Sequence, residues 1–216
     1  MVTSNNWSGY AVQPAQPLTE VVGSWVQPAA TCGQSTERTL SAFWIGFDGY
    51  KNETVEQIGT QAKCGDGAAA YIGWWQMYPA PVGFLSMTTY PVQPGDTLTA
   101  SVIRSGTSYA LSLQSSEGWT FSTTQTGDAA NASAEWIASS PKLCPTCQFA
   151  DLTDFGTVTF SGARAADGAA LRSIGSFPRA GGPQEITMLG PGDITRAQPG
   201  ALTANGKGFS DTWVHS

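Results

Sequence analysis

Ala42-Phe43-Trp44-Ile45-Gly46-Phe47-Asp48 decides the fold class of this chain. Phe43, Ile45 and Phe47 recur at every second residue, so an extended strand projects all three from one side. That apolar stripe is a core face, which leaves Trp44 and Asp48 on the opposite face. The strand predicted here covers Ser41–Phe47. Outward from it the same period recurs near Glu20–Val26, Thr54–Gln61, Ala70–Met77, Thr97–Arg104, Tyr109–Gln114 and Thr120–Thr126. It returns near Ser133–Ile137, Thr157–Phe160, Glu185–Leu189 and Gly208–Val214. Turn signals such as Asp48-Gly49, Asp66-Gly67, Pro94-Gly95-Asp96 and Asp167-Gly168 separate the strands. The stretches Pro178–Pro183 and Gly190–Gly200 read as loops, and no segment carries a helical period over three turns. The expectation is a single all-β domain over residues 1–216, a sandwich of two antiparallel sheets.

Several strands pair an apolar face with a face that carries aromatic and hydrogen-bonding groups. Ile58 faces the core while Gln57 looks the other way. Ala134 and Trp136 share one face of their strand, and Ser133, Glu135 and Ile137 share the other. Ile72, Trp74, Gln76 and Tyr78 oppose Tyr71, Gly73, Trp75 and Met77. A curved sheet with its mixed face concave forms a groove for an extended polymer.

Composition removes whole classes of function. The net charge is −6, from 10 Lys+Arg and 16 Asp+Glu, with no basic run to neutralise phosphates, so no nucleic-acid partner is expected. No apolar stretch reaches the roughly 18 residues of a membrane span. The one histidine, His215, is penultimate, so Ser-His-Asp and Cys-His systems lack their imidazole. Any catalysis must run on carboxylates and amides, and no metal or cofactor is expected.

Cys32, Cys64, Cys144 and Cys147 form an even set in a chain rich in Ser, Thr and Gly, which fits disulfides and an oxidising compartment. Three connectivities are open, with Cys144–Cys147 preferred over Cys32–Cys64. The opening Met1-Val2-Thr3-Ser4 is polar, so a secreted protein is represented here by its mature domain, with signal peptide and propeptide removed.

Six motifs in order carry a resemblance: Asn6-Trp7-Ser8-Gly9-Tyr10, Phe43 through Gly49, Glu56-Gln57-Ile58-Gly59-Thr60, Trp74-Trp75-Gln76-Met77-Tyr78-Pro79, Ser133-Ala134-Glu135-Trp136-Ile137 and Asp154-Phe155-Gly156-Thr157-Val158. Together they resemble the glutamic peptidases, or eqolisins. The resemblance implies a lectin-like sandwich of two seven-stranded sheets with a concave substrate groove. It also implies a monomeric, secreted, acid-acting endopeptidase of polypeptide substrates. Gln57 matches the family's oxyanion donor and Glu135 its general base and acid. Trp7, Trp44, Asp48, Trp74, Gln76 and Tyr78 match positions that line or support the groove. The chain departs from the family at Gln76, where a Glu is usual, and at Ser139, where a second Glu commonly stands. A neutral residue 76 spares Asp48 and Glu135 a like-charge neighbour. Two rivals accompany this reading. One is a glycoside hydrolase using two carboxylates such as Asp48 and Glu135. The other is a carbohydrate-binding module that stacks sugars on Trp44 and Trp74.

Overall fold

The computed structural model describes residues 2–33, 38–142, 148–168, 170–178 and 182–216. Its strands, in chain order, are β1 (Val2–Ser4), β2 (Trp7–Val12), β3 (Glu20–Val26), β4 (Thr39–Phe47), β5 (Val55–Gly65) and β6 (Ala68–Tyr78). They continue as β7 (Gly83–Phe84), β8 (Thr97–Ser105), β9 (Ser108–Ser115), β10 (Thr120–Thr126), β11 (Ala134–Ser139) and β12 (Asp151–Leu152). The last are β13 (Thr157–Ala166), β14 (Arg172–Ser173), β15 (Gln184–Leu189), β16 (Thr195–Pro199) and β17 (Phe209–Trp213).

Pairing resolves these strands into two antiparallel layers. One runs β15-β2-β11-β4-β5-β6-β7, with β1 added in parallel on the outside of β15. The other runs β16-β17-β13-β3-β8-β9-β10. The β15–β16 hairpin joins the two at one side.

Between the layers lies an apolar core that includes Trp25, Phe43, Ile45, Phe47, Ile58, Trp136, Phe160 and Phe209. The stripe of β4 therefore faces inward, as its period predicts. Two core indoles have their N–H groups satisfied: Trp25 Nε1 donates to Thr60 Oγ1 at 2.9 Å and Trp136 Nε1 to the Val22 carbonyl at 2.9 Å. A second apolar cluster sits on the outer face of the first layer. It gathers Ala11, Ala42, Trp44, Val55, Trp74, Ile137 and Ile186, with Trp7 and Tyr50 packed against it. This cluster is the floor of a groove of about 820 Å³.

Two strands depart from the sequence expectation. β2 is absent from the predicted strands, because its core face carries Ser8 beside Tyr10 and Val12 and so breaks the apolar alternation. β16 lies inside the expected loop Gly190–Gly200. It has no apolar stripe and ends in a proline, yet it pairs on both sides. Of the cysteines, Cys32 and Cys64 form a disulfide. Cys144 and Cys147, the preferred pair, lie outside the described residues.

Candidate active site

Residues directly opposite one another on adjacent strands share a face of the sheet. One row across the first layer reads Gln184, Ala11, Glu135, Gly46, Gln57, Gln76. Glu135 and Gln57 thus flank Gly46, two strand spacings or about 10 Å apart at the Cα level. Glycine at that position is a steric requirement. A Cβ on Gly46 would lie 2.6 Å from the Glu56 carbonyl oxygen and 3.0 Å from Gln57 Cβ. The next row reads Ile186, Gly9, Ile137, Trp44, Gly59, Trp74, Phe84 and sets two glycines between bulky neighbours. Gly59 makes room for Trp44, since a Cβ there would meet Trp44 Cβ at 2.6 Å.

The groove is lined by Trp7, Trp44, Gln57, Trp74, Gln76 and Tyr78 among others. Trp7 and Trp44 meet edge to face at 4.9 Å, and Trp44 Nε1 donates to Ser139 Oγ at 3.0 Å. Trp74 is buried, and its Nε1 has no partner among the described residues. Tyr78 stands exposed on the rim. Gln57 Nε2 donates to Gln76 Oε1 at 3.1 Å, and Gln76 Nε2 donates to the Ala80 carbonyl at 2.8 Å.

Glu135 is deeper than the sequence suggests. It is 0% exposed, and neither carboxyl oxygen has a hydrogen-bond partner among the described residues. Burial pushes its carboxyl well above the ordinary carboxylate value. The nearby Ser133 hydroxyl pulls the other way, and the charges of Asp48 and Glu56 push further up. In the acid range Glu135 is therefore a neutral carboxylic acid.

Asp48 is the placement to correct. Strand β4 stops at Phe47, and Asp48 (φ 67°) and Gly49 (φ 87°) both take left-handed conformations that swing the chain away. The carboxylate is buried and does not line the groove. Its Oδ2 accepts from the Asn131 N–H at 2.6 Å, and Oδ1 accepts from the Ala132 N–H at 2.8 Å and Asn52 Nδ2 at 2.7 Å. Asp48 thus ties the exit of β4 to the entry of β11, the strand that carries Glu135.

Glu56 belongs to the same environment and was not singled out from the sequence. It is buried on the core side of β5, one residue before Gln57. Its carboxyl is pushed up to about 8, first by burial and then by the adjacent Asp48. Gly46 is likewise not marked by the strand period. A glycine inside an apolar strand was the available signal, since it marks a close approach.

The sequence profile of the peptidase A4 family matches residues 5–177. Aspergillopepsin-2 of Aspergillus niger is 29% identical over 189 residues, which cover 76% of this chain and 65% of that protein. The chain thus spans about two thirds of that relative's length. Among solved structures, scytalido-glutamic peptidase with a transition-state analogue inhibitor superposes with a TM-score of 0.82 at 20% identity, covering 98% of this chain and 99% of the other. SCP-B, an eqolisin in complex with a tripeptide, superposes with a TM-score of 0.78 at 20% identity and the same coverage. With the family profile matched over most of its length, the chain belongs to the peptidase A4 family, the eqolisins.

Proposed function

We propose that this protein is a secreted, acid-acting endopeptidase in which Gln57 and Glu135 hold and activate the hydrolytic water. The observation that carries this reading is that the two residues share one sheet face on either side of Gly46, with Gln57 lining the groove and Glu135 fully buried on that same face. The groove is apolar in its floor, and Glu53 and Lys142 are the charged residues that line it among the described residues. An extended polypeptide fits such a surface. The glycosidase alternative needs a second carboxyl facing the scissile bond. Asp48, the carboxyl weighed as partner to Glu135, is committed to backbone amides and does not line the groove, so it does not fill that place.

A neutral Glu135 serves both proton functions. As water attacks the scissile carbonyl carbon, one Glu135 oxygen takes a water proton while the hydroxyl of the same group passes its proton to the carbonyl oxygen. The product is a neutral gem-diol, and Glu135 is again neutral. In collapse, a diol hydroxyl returns a proton to Glu135 and Glu135 protonates the amide nitrogen as the C–N bond breaks. No full charge is left on Glu135 or on the diol in a buried site where it would be costly, and only partial charge develops on the carbonyl oxygen in passing. Gln57 donates an Nε2 hydrogen to the oxygen on which negative charge builds, an interaction worth about 3 kcal/mol where single donors have been removed. An amide suits the role because it remains a neutral donor at any acid pH. The Cys32–Cys64 disulfide supports an oxidising, extracellular setting, and the protein is proposed to act there as a monomer.

The test is hydrolysis of denatured casein between pH 3 and 8 by wild type, Glu135→Gln and Gln57→Ala, beside a polysaccharide panel. Wild type should cleave casein alone, and each variant should lose at least about a hundredfold in kcat. Wild-type kcat/KM should persist at acid pH and fall as Glu135 ionises, above the ordinary carboxylate range near ~4.3. Casein left intact by wild type, or more than a tenth of its activity in folded Glu135→Gln, would overturn the reading.

A further inference from the structure

Gln57 is useful as an oxyanion donor only if its amide points the right way. The two ends of a glutamine side chain have nearly the same shape, and the reversed amide would set oxygen against oxyanion. Something must select the orientation, and the structure shows a chain of constraints that starts at the backbone.

Ala80 is fixed in a turn, where its N–H donates to the Met77 carbonyl at 2.8 Å. Its own carbonyl can only accept. Gln76 must therefore present its NH₂ group to Ala80, and it does so at 2.8 Å. That choice turns Gln76 Oε1, also an acceptor only, toward β5. Gln57 is the direct cross-strand partner of Gln76, and it meets Oε1 with its Nε2 at 3.1 Å. One Nε2 hydrogen is held by Gln76. The second has no hydrogen bond among the described residues and belongs to a residue that lines the groove.

We infer that Gln76 is a positioning residue whose backbone-anchored amide fixes the donor end of Gln57 independently of pH. The inference rests on the peptidase reading for its catalytic consequence but not for its geometry. An amide at residue 76 has a property that a carboxyl lacks. A protonated Glu could copy the relay, its hydroxyl donating to Ala80 and its carbonyl oxygen accepting from Gln57. Once ionised, it would face the Ala80 carbonyl with a second acceptor and the relay would break.

Two variants and two readouts test this. Gln76→Met keeps the length of the side chain and removes both hydrogen bonds. Its kcat should fall about tenfold, the scale of one lost hydrogen bond, with KM within about a factor of two. Gln76→Glu should match wild type near pH 3 and lose kcat as pH rises through the ordinary Glu range near ~4.3, earlier than wild type does. The titratable groups of the groove and its surroundings are Tyr50, Glu53, Tyr78 and Lys142 in its lining, Glu135 on β11, and the buried Asp48 and Glu56. All are present in both proteins, so an added titration belongs to residue 76.

The second readout does not need activity. The ¹⁵N side-chain amide signal of Gln57, assigned by its loss in Gln57→Ala, should exchange with solvent more slowly in wild type than in Gln76→Met. Unchanged kcat in Gln76→Met, or a Gln76→Glu profile that superposes on wild type, would overturn the inference while leaving the peptidase reading intact. Absence of proteolysis by wild type would sink the peptidase reading, and the exchange rates would then decide the relay alone. Equal rates would dispose of it.

Discussion

Among the described residues Glu135 has no cation beside it, only the nearby Ser133 hydroxyl favours its charge, and two other acids stand near it. While it is protonated such a residue spares the fold the cost of a buried charge. At pH values where the unfolded chain ionises it freely, the folded chain must either keep the proton or bury a charge. Gln has the same shape and cannot ionise. Glu135→Gln should therefore melt with wild type at pH 3 and above wild type at pH 7, although it is inactive at both. Thermal melts followed by circular dichroism check this, and a Glu135→Gln protein less stable than wild type at pH 7 would contradict it. A gain in stability beside a loss of activity is the expected mark of a residue kept for chemistry. The sequence pattern shows which face Glu135 occupies, because period 2 fixes faces. It cannot show depth, which depends on what neighbouring strands place above and beside it. Asp48 shows the opposite failure. Its parity with Trp44 points to the groove, but parity holds only while the strand continues, and the left-handed backbone at Asp48 ends it.

At the scale of elements, the β4–β5 hairpin carries Trp44, Gly46 and Gln57, and a disulfide braces its open end. Cys32 precedes β4, Cys64 lies near the end of β5, and 32 positions separate them. Closing a loop of that length reduces the entropy of the unfolded chain by the equivalent of roughly 3–4 kcal/mol. The Cys32→Ser/Cys64→Ser double variant should lose about that much in urea unfolding. A loss below about 1 kcal/mol would mean that the bridge contributes little. Strand β4 of this hairpin is the most legible part of the sequence, since Phe43, Ile45 and Phe47 form an unbroken apolar stripe, whereas the core face of β5 mixes Ile58 with Glu56 and Thr60. β2 and β16 are illegible for a shared reason. Each carries a buried polar residue, Ser8 in one and Arg196 in the other, held through specific partners and not through hydrophobicity. Ser8 donates to Asp211 at 2.8 Å and Arg196 to the Ala150 carbonyl at 3.1 Å. Such pairings arise from residues far apart in sequence, and no local pattern announces them. The Cys32–Cys64 pair is of the same kind, because only the register that sets Thr39 beside Cys64 brings that end of the hairpin under the loop from Cys32.

For the whole molecule, the placement of charge predicts how stability varies with pH. Acid denaturation usually works by protonating carboxylates that are paired in the fold and by loading the chain with positive charge. Here Arg172–Asp167 is the one ion pair among the described residues. The positive side-chain charge cannot exceed 11, from 10 Lys+Arg and one His in 216 residues. Low pH therefore finds few ion pairs to break among the described residues. The opposite direction is different. Asp211 is 0% exposed, with one oxygen held by Ser8 and the other unpartnered among the described residues, and burial raises it from 3.8 to about 8. Glu56 is raised to about 8 and Glu135 is raised as well. Below pH ~4 these carboxyls are protonated in both the folded and the unfolded chain, so they do not alter stability. Between about 4 and 8 the unfolded chain releases protons that the fold retains at Glu56 and Asp211, and each of these two lowers the unfolding free energy by about 1.4 kcal/mol per pH unit, with Glu135 acting in the same direction. Over that span a single such group costs on the order of 5 kcal/mol, comparable with the whole stability of many domains. The melting temperature should therefore be highest near pH 4 and fall steadily toward pH 8. The Glu56→Gln/Asp211→Asn double variant should flatten the fall, because neither replacement can ionise and the amide oxygen introduced at position 211 can still accept from Ser8. Differential scanning calorimetry at constant ionic strength across this range decides it. A melting temperature that rises from pH 4 to 8, as ion-paired carboxylates would produce, would show that these buried acids do not hold their protons in the fold.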